Sequence, residues 1–117
     1  MLSFEDVIPV RHSIRRGEAL NILAIANNPD EDVRREISVW GRTDGEWKKL
    51  VSREYDIASH EHKHMYFTID GYLFAGEFWG EDPEEVEICV SDRVPDRERN
   101  GVLIIVLQDR PETDTPS

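Results

Sequence analysis

Turn signals interrupt this chain too often for long helices to form. Arg16-Gly17-Glu18, Asn27-Asn28-Pro29-Asp30 and Asp44-Gly45 belong to a series of breaks that recurs every eight to fifteen residues. Gly and Asn accept positive φ, Pro removes a backbone donor, and Asp-Gly is a strong hairpin signal. The stretches between the breaks read as seven strands, at residues 7–14, 20–26, 35–42, 47–53, 60–69, 86–90 and 102–108. Pro9 marks the first as an edge strand. The expected fold is all-β, an immunoglobulin-like antiparallel β-sandwich of about seven strands. Residues 1–109 form a single domain of this kind, because 117 residues supply one hydrophobic core. Residues 110–117 contain only Arg, Pro, Thr, Asp, Glu and Ser, so they bury nothing and are expected to be a disordered tail.

Side-chain alternation assigns faces within the strands. Met65, Phe67 and Ile69 face the core, which turns His60, His62, His64, Tyr66 and Thr68 outward. Val86, Ile88 and Val90 point inward and Cys89 outward; Ile37 and Val39 point inward and Trp40 outward. The unbroken apolar run at 102–108 implies burial on both faces, or at least a central position. Residues 71–85 are the least strand-like and leave room for a helical turn.

Charge narrows the choice of partner. The chain carries 25 Asp plus Glu against 14 Lys plus Arg, a formal net charge of -11. Its basic residues sit beside acidic ones, as in Arg34-Arg35-Glu36 and Asp96-Arg97-Glu98-Arg99. This balance argues against nucleic acid as a partner, which needs a basic face, and against anionic membrane surfaces. Cys89 is the only cysteine, residues 1–11 hold no apolar secretory core, and no run approaches the length of a membrane span. A cytoplasmic protein is the simplest reading of these features, and a domain cut from a longer exported protein would look the same.

Several segments together resemble bacterial Ig-like modules of the CARDB and fibronectin type III kind. They are Gly17-Glu18 leading into Leu20-Asn21-Ile22-Leu23-Ala24-Ile25, the Asn27-Asn28 loop, Ile57-Ala58-Ser59-His60 leading into Met65-Tyr66-Phe67-Thr68-Ile69, and Val86-Glu87-Ile88-Cys89-Val90-Ser91-Asp92. The resemblance covers residues 7–108. The segment between the fifth and sixth strands is longer than such modules usually have. What the resemblance implies is a module that binds or spaces other domains.

Three features could carry chemistry. The first is the histidine strand. Imidazole is a common metal ligand, and strand residues two apart share a face about 6.6 Å apart. Two of His60, His62 and His64 could hold one ion, whereas all three would need a bulge, since the outer pair spans about 13 Å. Up-and-down connectivity brings the loops at 27–33, 57–61 and 92–101 to one pole, with Asp30, Asp32, Asp92 and Asp96 near the imidazoles. A histidine pair suits Zn or Ni, the mixed set Zn or Mn, and the carboxylates alone Ca. His62-Lys63-His64 ahead of Gly71 also resembles the cupin motif. That motif needs a Glu before the Gly and a later His, and neither is present.

The second feature is the aromatic segment at 72–80. Tyr72, Phe74, Phe78 and Trp79 either form a partner-binding surface, with a homodimer as its simplest use, or fold over an open end of the sandwich and plug it. The third is Trp40 with Trp47. They flank Asp44-Gly45 and form either a cross-hairpin ring contact or a flat sugar platform. No serine lies in a nucleophile elbow, and nothing in the spacing sets a base beside Cys89. The leading expectation is a non-enzymatic protein-binding or structural module, such as a subunit of a larger assembly. The alternative is a metal-binding protein or small cupin-like metalloenzyme built on the histidine strand.

Overall fold

The computed structural model describes residues 2–96 and 103–108. Its strands are β1 Ser3–Pro9, β2 Ser13–Arg15, β3 Leu20–Asn27, β4 Val33–Arg42, β5 Lys48–Ile57, β6 His62–Ile69, β7 Glu85–Ser91 and β8 Leu103–Gln108. They form two packed sheets, a three-stranded one in the order β1-β3-β6 and a five-stranded one in the order β2-β8-β7-β4-β5. The all-β sandwich expected from the turn spacing is what the chain forms. The connectivity is not up-and-down: β3 pairs with β6 and β4 with β7, so the chain passes repeatedly between sheets. The expected tail at 110–117 and Val102 lie outside the described residues.

The core comes from the inward side of each strand. Ile22, Ala24 and Ala26 of β3 meet Ile37 and Val39 of β4, Met65, Phe67 and Ile69 of β6, and Val86, Ile88 and Val90 of β7. All are buried, as alternation requires. At about 25 cal/mol per Å² of apolar surface removed from water, each large side chain here contributes about 1.5–3 kcal/mol.

Four sequence expectations need correction. The first expected strand is two. Pro9 closes β1, and the chain crosses to the other sheet, where β2 pairs with β8 in parallel, the one exception to antiparallel pairing among the described strands. Next, β6 begins at His62, because residues 58–61 form a turn closed by Glu61 N–H on the Ala58 carbonyl at 3.1 Å. The apolar β8 run is buried on one face only: Ile105 and Leu107 are inside, while Ile104 and Val106 are 45% and 40% exposed. It is nevertheless flanked by β2 and β7. Finally, Trp40 and Cys89 do take the outer face, side by side in register, but both are covered, at 8% and 3% exposure. Trp40 Nε1 donates to the Ser91 carbonyl at 3.4 Å, and Lys49 Nζ sits 5.5 Å from its ring centre.

Leu50 shows how the β4–β5 hairpin adapts. The register skips it, pairing Val39 with Val51 and Trp40 with Lys49. This bulge lets Leu50 join the core above Gly41, where a Cβ would lie 2.7 Å from Leu50 Cδ1. Among the described residues no helix is long and apolar enough to cross a membrane.

Candidate functional site

Asn28 organises the pole where the β3–β4 and β5–β6 loops meet. It is 2% exposed. Its Nδ2 donates to the carbonyls of Glu31 at 2.8 Å, Ala58 at 3.1 Å and Ile57 at 3.2 Å. Its Oδ1 accepts from Asp30 N–H at 3.1 Å, an Asx turn, and its own carbonyl accepts from His60 N–H at 2.7 Å. Asp32 Oδ1 accepts from Ser59 N–H at 2.7 Å, and Glu61 Oε1 from Ala58 N–H at 2.8 Å. Each bond satisfies a backbone group that a loop would otherwise leave unpaired.

Beside this knot lies a groove of about 660 Å³, lined by the polar residues Asp30, Glu31, Asp32, Arg35, Ser59 and His60 and the apolar Leu2, Pro29 and Val33. His60 sits there with a φ of 62°, a conformation that Gly, Asn, Asp and His adopt more readily than other residues. Ser59 and His60 are neighbours in sequence. Among the described residues no hydrogen bond joins Ser59 Oγ to a base, and none orients the imidazole, so the pair lacks the parts of a nucleophilic dyad.

The metal ligands expected from sequence are divided among three places. Asp30, Asp32 and His60 line the groove. His62 and His64 stand exposed on the outer side of β6. Asp92 and Asp96 line a separate cavity of about 380 Å³ with Leu2, Phe4 and Arg93. Asp92 pairs with Arg93 at 3.5 Å, and the Asp96 carbonyl accepts from Trp47 Nε1 at 3.3 Å. Among the described residues no group of three or more His, Cys, Asp or Glu is arranged to hold a metal ion.

The aromatic segment takes the plugging arrangement. Gly71–Phe74 forms a single 3-10 turn, and Gly76–Trp79 a short helix, α1. Leu73 and Phe74 are buried, and Phe78 and Trp79 pack against the core from partly buried positions. Trp79 Nε1 donates to the Leu73 carbonyl at 2.9 Å, while Lys48 Nζ lies 5.0 and 5.1 Å from the Phe78 and Trp79 rings. Of the four expected partner-binding residues, Phe74 is buried in the core, Phe78 and Trp79 are partly buried against it, and Tyr72 is exposed at 66%. The sugar platform does not form either. Trp40 is covered, and Trp47 holds the Arg42 guanidinium 4.3 Å above its ring.

Sequence reasoning missed a different surface. On the outer side of the three-stranded sheet, register aligns Ile8, Leu23 and Tyr66 across all three strands, with Ile25 one row away. Ile8 is 48% and Tyr66 64% exposed. The signal was present in Leu20-Asn21-Ile22-Leu23-Ala24-Ile25, which is apolar on both faces although only one faces the core.

Comparison with known proteins gives fold likeness alone. No family model matches the chain, and no curated protein matches it. Among solved structures, a β-glucosidase of Erythrobacter marinus superposes with a TM-score of 0.72 at 14% identity, over 92% of this chain and 15% of the enzyme. A β-glucosidase of Listeria innocua in complex with gluconolactone gives a TM-score of 0.64 at 13% identity, over 92% and 16%. A GH3 β-glucosidase of Bifidobacterium adolescentis gives 0.64 at 14%, over 92% and 17%. This chain therefore spans about a sixth of the length of these enzymes, and at such identities the shared property is the β-sandwich.

Proposed function

We propose that this chain is a non-enzymatic association module, a β-sandwich that binds or braces a protein partner within a larger assembly. The observation that carries the reading is the apolar row Ile8–Leu23–Tyr66, which crosses a whole sheet on the side away from the core. The polar chemistry of the groove at the Asn28 pole supports it from the other direction. Asn28 and Asp32, which line that groove, and Glu61 beside it tie loops together. The matched portion of each β-glucosidase is one small part of a long chain, which fits a supporting role; the glucosidase activity belongs to those enzymes. The proposed kinship is with bacterial Ig-like modules of the CARDB and fibronectin type III kind, and the proposed setting is cytoplasmic.

Thermal melts of chelator-treated protein with and without Zn²⁺, Ni²⁺, Mn²⁺ and Ca²⁺ test this reading. A specific site raises Tm in proportion to the logarithm of metal concentration once it is saturated. The expected result is no metal-dependent rise. A rise of several degrees that His60→Ala or His62→Ala abolishes would replace the module with a metalloprotein.

A further inference from the structure

The two outer faces of the sandwich differ in how their side chains are matched. On the five-stranded sheet, charges pair across strands: Arg34 with Glu54 and Asp56, Lys49 with Glu36, Arg42 with Glu87. On that face the charge pairs cover β4, β5 and β7, and the exposed apolar residues are Ile104 and Val106 of β8, which lie on one strand and form no row across the sheet. On the three-stranded sheet the outward residues fall in four rows; Ser3, Asn27 and His62 form the one at the Asn28 pole, and three more follow along the strands. The middle row is Ile8, Leu23 and Tyr66. On one side of it lie Asp6, Ile25 and His64. On the other lie Asn21 and Thr68, whose Oγ1 donates to Asn21 Oδ1 at 2.7 Å.

We infer that this face binds its counterpart on a second copy of the chain, through a two-fold axis running along β3. Such an axis, set between two stacked sheets, exchanges left and right but leaves height along the strand unchanged. It lays β1 of one copy over β6 of the other. Ile8 then meets Tyr66 of the second copy at both edges, and Leu23 and Ile25 meet their own equivalents. Asp6 meets His64 of the second copy twice, a carboxylate facing an imidazole N–H. The face is thus self-complementary in both apolar content and polarity, as an isologous contact requires.

Addition of a further strand at the β1 edge is the competing route, and the chain opposes it. Pro9 lacks a donor, and a bulge between Phe4 and Asp6 breaks the edge. At the β6 edge the Tyr66 carbonyl already accepts from Arg53 at 3.4 Å and Tyr55 at 3.2 Å. Face-to-face stacking remains.

The size of the face sets the strength. Three strands of about eight residues present roughly 400 Å² per copy, or about 800 Å² in total. Stable interfaces bury about 1,200–2,000 Å². The dimer is therefore weak and forms at high concentration, or where a larger assembly holds two copies together. This rests on the reading of the chain as an association module and names its partner.

Analytical ultracentrifugation in 0.3 M NaCl, from 10 µM to 1 mM protein, tests it. The expected mass is 13.6 kDa at the dilute end, rising toward the dimer with a Kd on the order of hundreds of µM. Ile8→Lys and Tyr66→Lys each weaken association at least tenfold while leaving the melting temperature unchanged. Asp6→Lys weakens it, and Asp6→Lys combined with His64→Glu restores it, which a merely misfolded variant does not do. A monomer at 1 mM overturns the inference, as does a dimer that survives both lysine variants or a charge swap that fails to restore. With no metal effect in the melts, a monomer leaves the module reading standing. A metal-dependent Tm overturns that reading while the sedimentation result still decides this one.

Discussion

Asn27 and Asn28 are adjacent and chemically identical, yet the fold treats them differently. Asn27 ends β3 half-buried, whereas Asn28 is inside the pole with its amide donating to three carbonyls. A buried polar group left without its partner costs about 1–3 kcal/mol. Asn28→Ala is therefore expected to lower stability by about 3 kcal/mol in urea unfolding, because several loop carbonyls and the Asp30 N–H lose partners together. Asn27→Ala, at the strand end, is expected to cost under about 1 kcal/mol. Equal losses would show that the pole is not held by the Asn28 network. From sequence, Asn27-Asn28-Pro29-Asp30 is legible as a loop, since turn chemistry is local. Which asparagine is buried depends on Ile57 and Ala58, some thirty positions away, and no local pattern contains that. The same limit applied to Asp32: its exposed acidic side chain reads as a ligand, and nothing local tells that its Oδ1 accepts from Ser59 N–H, 27 positions away.

Two glycines at facing turns act for different reasons. Gly17, in the β2–β3 turn, has a φ of 86° with open space where a Cβ would stand. Gly71 precedes the aromatic segment, and a Cβ there would lie 1.9 Å from the Gly17 carbonyl oxygen and 2.4 Å from its carbon. The first needs a left-handed backbone and the second needs a missing side chain. Gly17→Ala is expected to cost about 1 kcal/mol, the penalty for an alanine in that region. Gly71→Ala has to push two backbones apart and is expected to cost at least about 3 kcal/mol, the upper range for overpacking. Chemical denaturation of both variants compares them, and a Gly71→Ala loss no larger than that of Gly17→Ala would mean the two turns separate easily. Element type and facing were legible where alternation is strict, as in Met65, Phe67 and Ile69, because a half-buried strand imposes a period of two. Alternation was silent where the chain left the period. The bulge before Asp6 sets both Phe4 and Val7 toward the core from positions three apart, and Pro9 splits one expected strand between two sheets. The Trp40 side chain lies on the outer face that parity assigns, but parity does not reveal that Lys49 and Cys89 flank it there.

At the scale of the whole molecule, charge opposes the dimer that the apolar row favours, and magnitudes decide between them. Each copy carries a formal charge of -11. Sheets stack about 10 Å apart, so the centres of two face-to-face sandwiches lie about 20 Å apart. Treated as point charges in water, two such copies repel by about 25 kcal/mol without salt. With a Debye length of about 8 Å at 0.15 M salt the repulsion falls to about 2 kcal/mol, and near 0.5 M to a few tenths. The two Asp6–His64 contacts, as exposed pairs, contribute about a few tenths of a kcal/mol each and weaken over the same range. Repulsion between net charges is therefore the larger salt-dependent effect. Association is expected to strengthen with salt, by up to roughly twentyfold between 0.15 and 0.5 M NaCl, where 1.4 kcal/mol corresponds to tenfold. Sedimentation equilibrium at fixed protein concentration across that range measures it. Sulfate would also strengthen apolar contacts, so chloride is the appropriate salt. A dimer that dissolves as NaCl rises would mean that the face is held by ion pairs, and the apolar row would lose its role as the source of affinity. A dimer that grows with NaCl, and that Tyr66→Lys still removes at 0.5 M, is the behaviour of an apolar face on an acidic protein, and it predicts that a partner other than a second copy would bind best if it carried a basic rim.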